Sequence, residues 1–131
     1  MKSNYLFFIL FLVSSMGFAQ CFGTFEYPFG GVESFNDGNV QEISDCNYGG
    51  DFADINELTI GSDYKFSSSV ATDYFTLTDQ SNNVIASGLV PLVVNAIAYT
   101  NVRLHINSSA SCGEATGCRI TTIQCTSCTP A

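Results

Sequence analysis

The chain has 131 residues, four basic against twelve acidic, a formal net charge of -8, one histidine and six cysteines. A chain of that length holds one domain, and so few cations exclude a phosphate-reading surface, which makes nucleic acid and anionic membranes poor partners. Six cysteines in so short a chain read as a disulfide framework formed in an oxidising compartment.

The first stretch reads as an export leader. Met1-Lys2 gives a basic start, Leu6 to Val13 is an unbroken apolar run, and Gly17-Phe18-Ala19 offers the small residues that a signal peptidase reads. The pattern predicts a signal peptide over residues 1–19, cleaved after Ala19. The apolar run is shorter than the roughly 20 residues that a membrane-spanning helix needs. Gln20 stands where a lipoprotein would carry a small residue before Cys21, which argues against lipidation. Loss of Lys2 with the leader takes the charge to -9 and leaves only Lys65, Arg103 and Arg119 as cations. Such acidity keeps an exported domain soluble.

From Cys21 to Gly50 the chain is rich in glycine and aromatics, with Pro28, Gly30-Gly31 and Asn36-Asp37-Gly38 as turn signals. The pattern predicts extended arms at Thr24 to Tyr27 and Val40 to Ser44. Phe22, Phe25, Tyr27, Phe29 and Phe35 have two readings: a cover over the open end of a sandwich core, or an exposed platform for a flat ligand. Phe25, Tyr27 and Phe29 are the ligand-binding candidates on the second reading.

Asp51 to Ile60 alternates imperfectly, and a bulge or strand end at Asn56-Glu57 accounts for the break. Tyr64, Phe66, Ser68 and Val70 share one parity and Lys65, Ser67 and Ser69 the other; Phe75 and Leu77 likewise oppose Tyr74, Thr76 and Thr78. That two-residue period is a strand signal, with the apolar parity turned to the core and the polar parity to water. Asp79 to Asn83 is a hairpin loop leading into Val84 to Ala86. Leu89 to Ala98 is mostly apolar, and Pro91 makes it an edge strand or its start, with a buried helix as the alternative. Val102, Leu104 and Ile106 oppose Arg103, His105 and Asn107, which predicts a half-buried strand. Arg119 to Cys125 supplies the last one. Seven or eight antiparallel strands with turns every 8 to 12 residues make an all-β sandwich over residues 20–127, with 128–131 as a linker stub.

Sequence alone leaves fifteen ways to pair Cys21, Cys46, Cys112, Cys118, Cys125 and Cys128. The expected pairing joins Cys112 to Cys118 across a small loop, CGEATGC, and ties Cys21 and Cys46 to Cys125 and Cys128. A metal or redox reading of Cys125 and Cys128 lacks partners, since zinc needs four ligands and His105 is the sole histidine. Calcium has two weak candidates, Asp51, Asp54 and Asn56, and Asn36, Asp37 and Asn39, neither matching a known loop pattern. No cofactor is expected. Asn107-Ser108-Ser109 is a formal glycosylation acceptor. A nucleophile needs a base oriented by a third group, and neither Ser67-Ser68-Ser69 nor any other serine stands in a nucleophile-elbow pattern. The chain is therefore not read as an enzyme.

The phrases YPFGGV, CNYGGDFADI, YKFSSSVATDYFTLTD, SGLVPLVV and VRLHINSSASCGEATGCRITTIQC, in this order, resemble a repeat module of large secreted Bacteroidetes proteins, and more distantly the β-sandwich that accompanies secreted peptidases at their C-terminal side. The most specific part is Phe66 to Asp73. The resemblance implies an Ig-like or jelly-roll-like sandwich that acts as an accessory or adhesive module, and it supplies no catalytic residues. In that family an interdomain linker begins near CTSCTPA, so the chain is expected to be a short form or an N-terminal piece. Two functions follow as expectations. One is a secreted module that binds a glycan, a surface polymer or an extracellular protein through its aromatic arm or loops; the other is a structural spacer beside a peptidase or adhesin.

Overall fold

The computed structural model describes residues 21–129. The expected leader, residues 1–19, lies outside the described residues, as do the last two positions of the expected linker stub. The described chain is all-β: β1 (Phe25–Glu26), β2 (Val32–Glu33), β3 (Gln41–Gly49), β4 (Asp51–Asn56), β5 (Tyr64–Ser68), β6 (Tyr74–Thr78), β7 (Val84–Leu89), β8 (Leu92–Val94), β9 (Val102–Asn107) and β10 (Ala115–Cys125).

Two sheets stack. The first runs β1-β4-β9-β6-β7, with β2 also on β4, and the second runs β3-β10-β5-β8. Between them lies a core of Ala53 and Ile55 from β4, Tyr64 and Phe66 from β5, Phe75 and Leu77 from β6, Val102, Leu104 and Ile106 from β9, and Ile123 from β10. These are the apolar parities of the sequence, turned inward as the pleat requires. Leu89 to Ala98 forms no helix. Its strand, β8, starts directly after Pro91 and lies at a sheet edge, where a residue without an N–H costs no ladder bond.

Three expectations need correction. The strands among the described residues number ten, two of them the pieces β1 and β2 of a broken edge strand, and these two pair parallel to β4. The polar parity of the first sheet does not face water. Thr76, Thr78, His105 and Asn107 are all buried, and over His105 lies an N-terminal arm in which Phe22 is packed 5.1 Å from the imidazole. Burial of Asn107 also withdraws its amide from any glycosylating enzyme acting on the folded protein.

The third correction is the cysteine pairing. The bridges are Cys21–Cys112, Cys46–Cys118 and Cys125–Cys128. Cys112 and Cys118 do not close a loop because β10 already begins at Ala115, and strand residues advance about 3.3 Å each. Cys112 instead stands in a turn in which Ser108 N–H donates to the Gly113 carbonyl, and it anchors the arm through Cys21. Cys118 faces Cys46 across the β3 and β10 pair. Cys128 belongs to the fold, bonded to Cys125 and packed against the core. Three disulfides require an oxidising environment to form and persist.

Candidate ligand-binding site

The broken edge strand builds the site. β1 pairs with Asp51 and Phe52, and β2 with Ile55 and Asn56, so the five residues Tyr27 to Gly31 stand opposite only Ala53 and Asp54 of β4. The surplus loops outward. Gly31 N–H donates to the Pro28 carbonyl at 3.0 Å and closes the turn. Gly31 has φ +74, and a Cβ there would stand 2.5 Å from the Asp54 carbonyl oxygen. Only glycine fits.

The loop carries its aromatics outside. Phe25 is 53% and Phe29 71% exposed, with Tyr27 half-buried. Their rings form a chain: Phe25 to Phe29 at 5.6 Å and Tyr27 to Phe29 at 6.3 Å, both edge to face. The three candidate residues thus meet in one ridge and do not cover the core. Phe22 is separate, packed on His105, and the exposed Phe35 has its N–H held by the Gln41 side chain.

A buried amide holds the ridge in place. Asn47 of β3 is fully buried; its Nδ2 donates to the Tyr27 carbonyl at 2.9 Å and to Asp51 Oδ2 at 3.3 Å, and its Oδ1 accepts from the Thr121 hydroxyl at 2.7 Å. Such a satisfied buried network rigidifies what it touches.

Beside the ridge opens a cleft of about 380 Å³. Phe25, Tyr48, Gly49, Gly50, Glu114 and Thr116 are among the residues that line it. Gly50 has φ +104, and a Cβ there would meet Glu114 Cγ at 3.2 Å. The lining is therefore bare backbone at Gly50. Asp51 also lines the cleft, but its carboxylate already accepts from the Tyr48 N–H at 2.8 Å.

The cations lie elsewhere. Arg103 pairs with Asp54 and Arg119 with the buried Asp73, each at 2.9 Å, and Lys65 stands on β5 between β10 and β8 in the other sheet. The open carboxylate of Glu114 meets no basic residue in the cleft lining.

Other candidates have structural partners. Asp51 and Asp54 fall on opposite parities of β4, and Asp54 is held by Arg103. Asn36 bonds the Glu57 carbonyl and the Tyr64 hydroxyl, and Asp37 accepts from the Asn39 N–H. Among the described residues no group of three or more acidic, His or Cys side chains is arranged around a metal position. Ser68 donates to Asp73 and Ser69 accepts from the Ile120 N–H. His105 is held by the Gly23 N–H and Thr78.

Tyr48, Glu114 and Thr116 escaped the sequence reading. The extended arm expected over Val40 to Ser44 stops short of them, whereas Tyr48 and Gly49 end a nine-residue strand. An aromatic next to paired glycines, with a second aromatic-glycine phrase upstream, was the available signal.

No family matches the chain, and comparisons with characterised proteins and with solved structures found no match.

Proposed function

We propose that the protein is an exported, non-catalytic module that binds a glycan on the ridge of Phe25, Tyr27 and Phe29 and in the cleft beside it. One observation carries the reading: Phe29 packs edge to face on both Phe25 and Tyr27, Phe25 and Phe29 are more than half exposed, and Phe25 also lines a cleft that includes the bare backbone of Gly49-Gly50. Large apolar side chains gain by burial, and a chain that leaves them out in a preformed group has a partner for them. Pyranose rings offer a flat C–H face to an aromatic and hydroxyls to the carboxylate and threonine of the cleft. The leader pattern and the disulfides support export, and the resemblance to repeat modules of secreted proteins supports an accessory role.

The test is isothermal titration of the exported protein with oligosaccharides chosen from a glycan array, alongside Phe25→Ala and Phe29→Ala. Both side chains are exposed and outside the core, so both variants keep the parent melting temperature. Each weakens binding about tenfold, the scale of one lost aromatic contact. Unchanged affinity in both variants moves the site off the ridge. No binding to any glycan leaves the spacer reading in its place.

A further inference from the structure

Resting on the glycan reading, we infer that the cleft selects by charge, taking amino sugars ahead of neutral ones and refusing uronates and sulfated sugars. Glu114 is exposed on the cleft wall and close over Gly50, whereas Asp51, the other carboxylate there, is bound to the Tyr48 N–H and the Asn47 amide. One carboxylate is therefore open to a ligand. Of the three cations in residues 21–129, two are in ion pairs with Asp54 and Asp73 and the third lies on β5, outside the cleft lining. A sugar carboxylate or sulfate entering here meets Glu114 with nothing to neutralise it, in a chain whose overall charge already repels anions. An ammonium on the same ring meets an acceptor, and its bond is charge-assisted. Phe25 and Tyr48 also line the cleft, and aromatic rings attract cations through their faces.

Selection comes from a repulsive element as much as from an attractive one. The ridge supplies affinity for any pyranose, and Glu114 decides among them.

Calorimetric titration of the full exported protein with three hexasaccharides reads this out: a glucosamine oligomer, a neutral glucose oligomer and a galacturonate oligomer. The inference expects the glucosamine oligomer to bind about tenfold more tightly than the neutral one, the increment of one charge-assisted hydrogen bond, and the galacturonate oligomer not to bind. Raising salt shrinks the glucosamine advantage and leaves the neutral oligomer alone. Glu114→Gln, at an exposed position, closes the gap between the glucosamine and neutral oligomers and removes its salt dependence. A glucosamine preference that survives Glu114→Gln, or a galacturonate oligomer that binds best, overturns the inference and leaves the glycan reading standing. Failure of all three oligomers to bind overturns both.

Discussion

His105 is the residue whose role the alternation of β9 disguised. Gly23 N–H donates to its Nδ1 at 2.8 Å, so the proton is on Nε2, which donates to the Thr78 hydroxyl at 2.9 Å; that hydroxyl donates in turn to the Asp79 carbonyl at 2.8 Å. Protonating Nδ1 would break the bond to the arm. Burial first, and the nearby Arg103 second, push the imidazole down from 6.5 to about 4. The unfolded chain therefore takes up the proton before the folded one does as pH falls. The stability that the neutral ring contributes is complete above about pH 6.5, is lost as pH drops toward 4, and amounts to about 3 kcal/mol. Because the chain has one histidine, a proton NMR titration follows a single imidazole resonance. A midpoint near 4 is expected, and a midpoint near 6.5 would show that the arm does not cover the ring. Alternation in β9 reveals that Arg103, His105 and Asn107 share a face. It cannot reveal that a segment 80 residues away lies on that face.

At the scale of elements, the broken edge strand is what separates this sandwich from a plain one. Pro28 and Gly30-Gly31 were legible as a break, and Tyr64 to Val70, of which the strand takes Tyr64–Ser68, and Val102 to Asn107 were legible as strands with their inward apolar faces correct. What the break does depends on β4, since only pairing on both sides of Tyr27 to Gly31 forces the surplus residues outward. The length of β3 was hidden for a similar reason: Asn47 and Gly49 pair with Arg119 and Ala115, partners that are remote in the chain. Gly31→Ala tests the loop, with Gly61→Ala as its control. Both glycines have positive φ, +74 and +91, so both changes cost about 1 kcal/mol of backbone strain. Gly61 has open space around its added Cβ, whereas Gly31 meets the Asp54 backbone. Urea denaturation should show Gly31→Ala as the more destabilised by about 1–2 kcal/mol, and glycan affinity should fall in it alone. Equal loss in the two variants would mean that the loop does not lie against β4.

For the whole molecule, the bridges differ in what they enclose. Cys21–Cys112 spans 91 positions, Cys46–Cys118 spans 72 and Cys125–Cys128 spans 3. Restricting the unfolded chain is worth more for long loops, so replacing Cys21 and Cys112 together by Ala should cost about 2–5 kcal/mol, and replacing Cys125 and Cys128 clearly less. The first double variant should also free the arm and move the His105 midpoint toward 6.5. An order reversed between the two double variants, in urea midpoints, would contradict the pairing. The connectivity was not legible because it follows from which strands become neighbours, and six cysteines carry no mark of that. That the cysteines pair was legible, since an even count in a short chain depends on composition alone.

Everything proposed for function rests on the aromatic ridge and its cleft meeting a sugar. The most direct measurement is an amide NMR titration of isotope-labelled protein with a glucosamine hexasaccharide. The account predicts saturable shifts confined to Phe25 through Gly31, Tyr48 through Asp51 and Glu114 through Thr116. Shifts centred on β7 and β8, at the far edges of the two sheets, or a spectrum that does not change at saturating sugar, would contradict it.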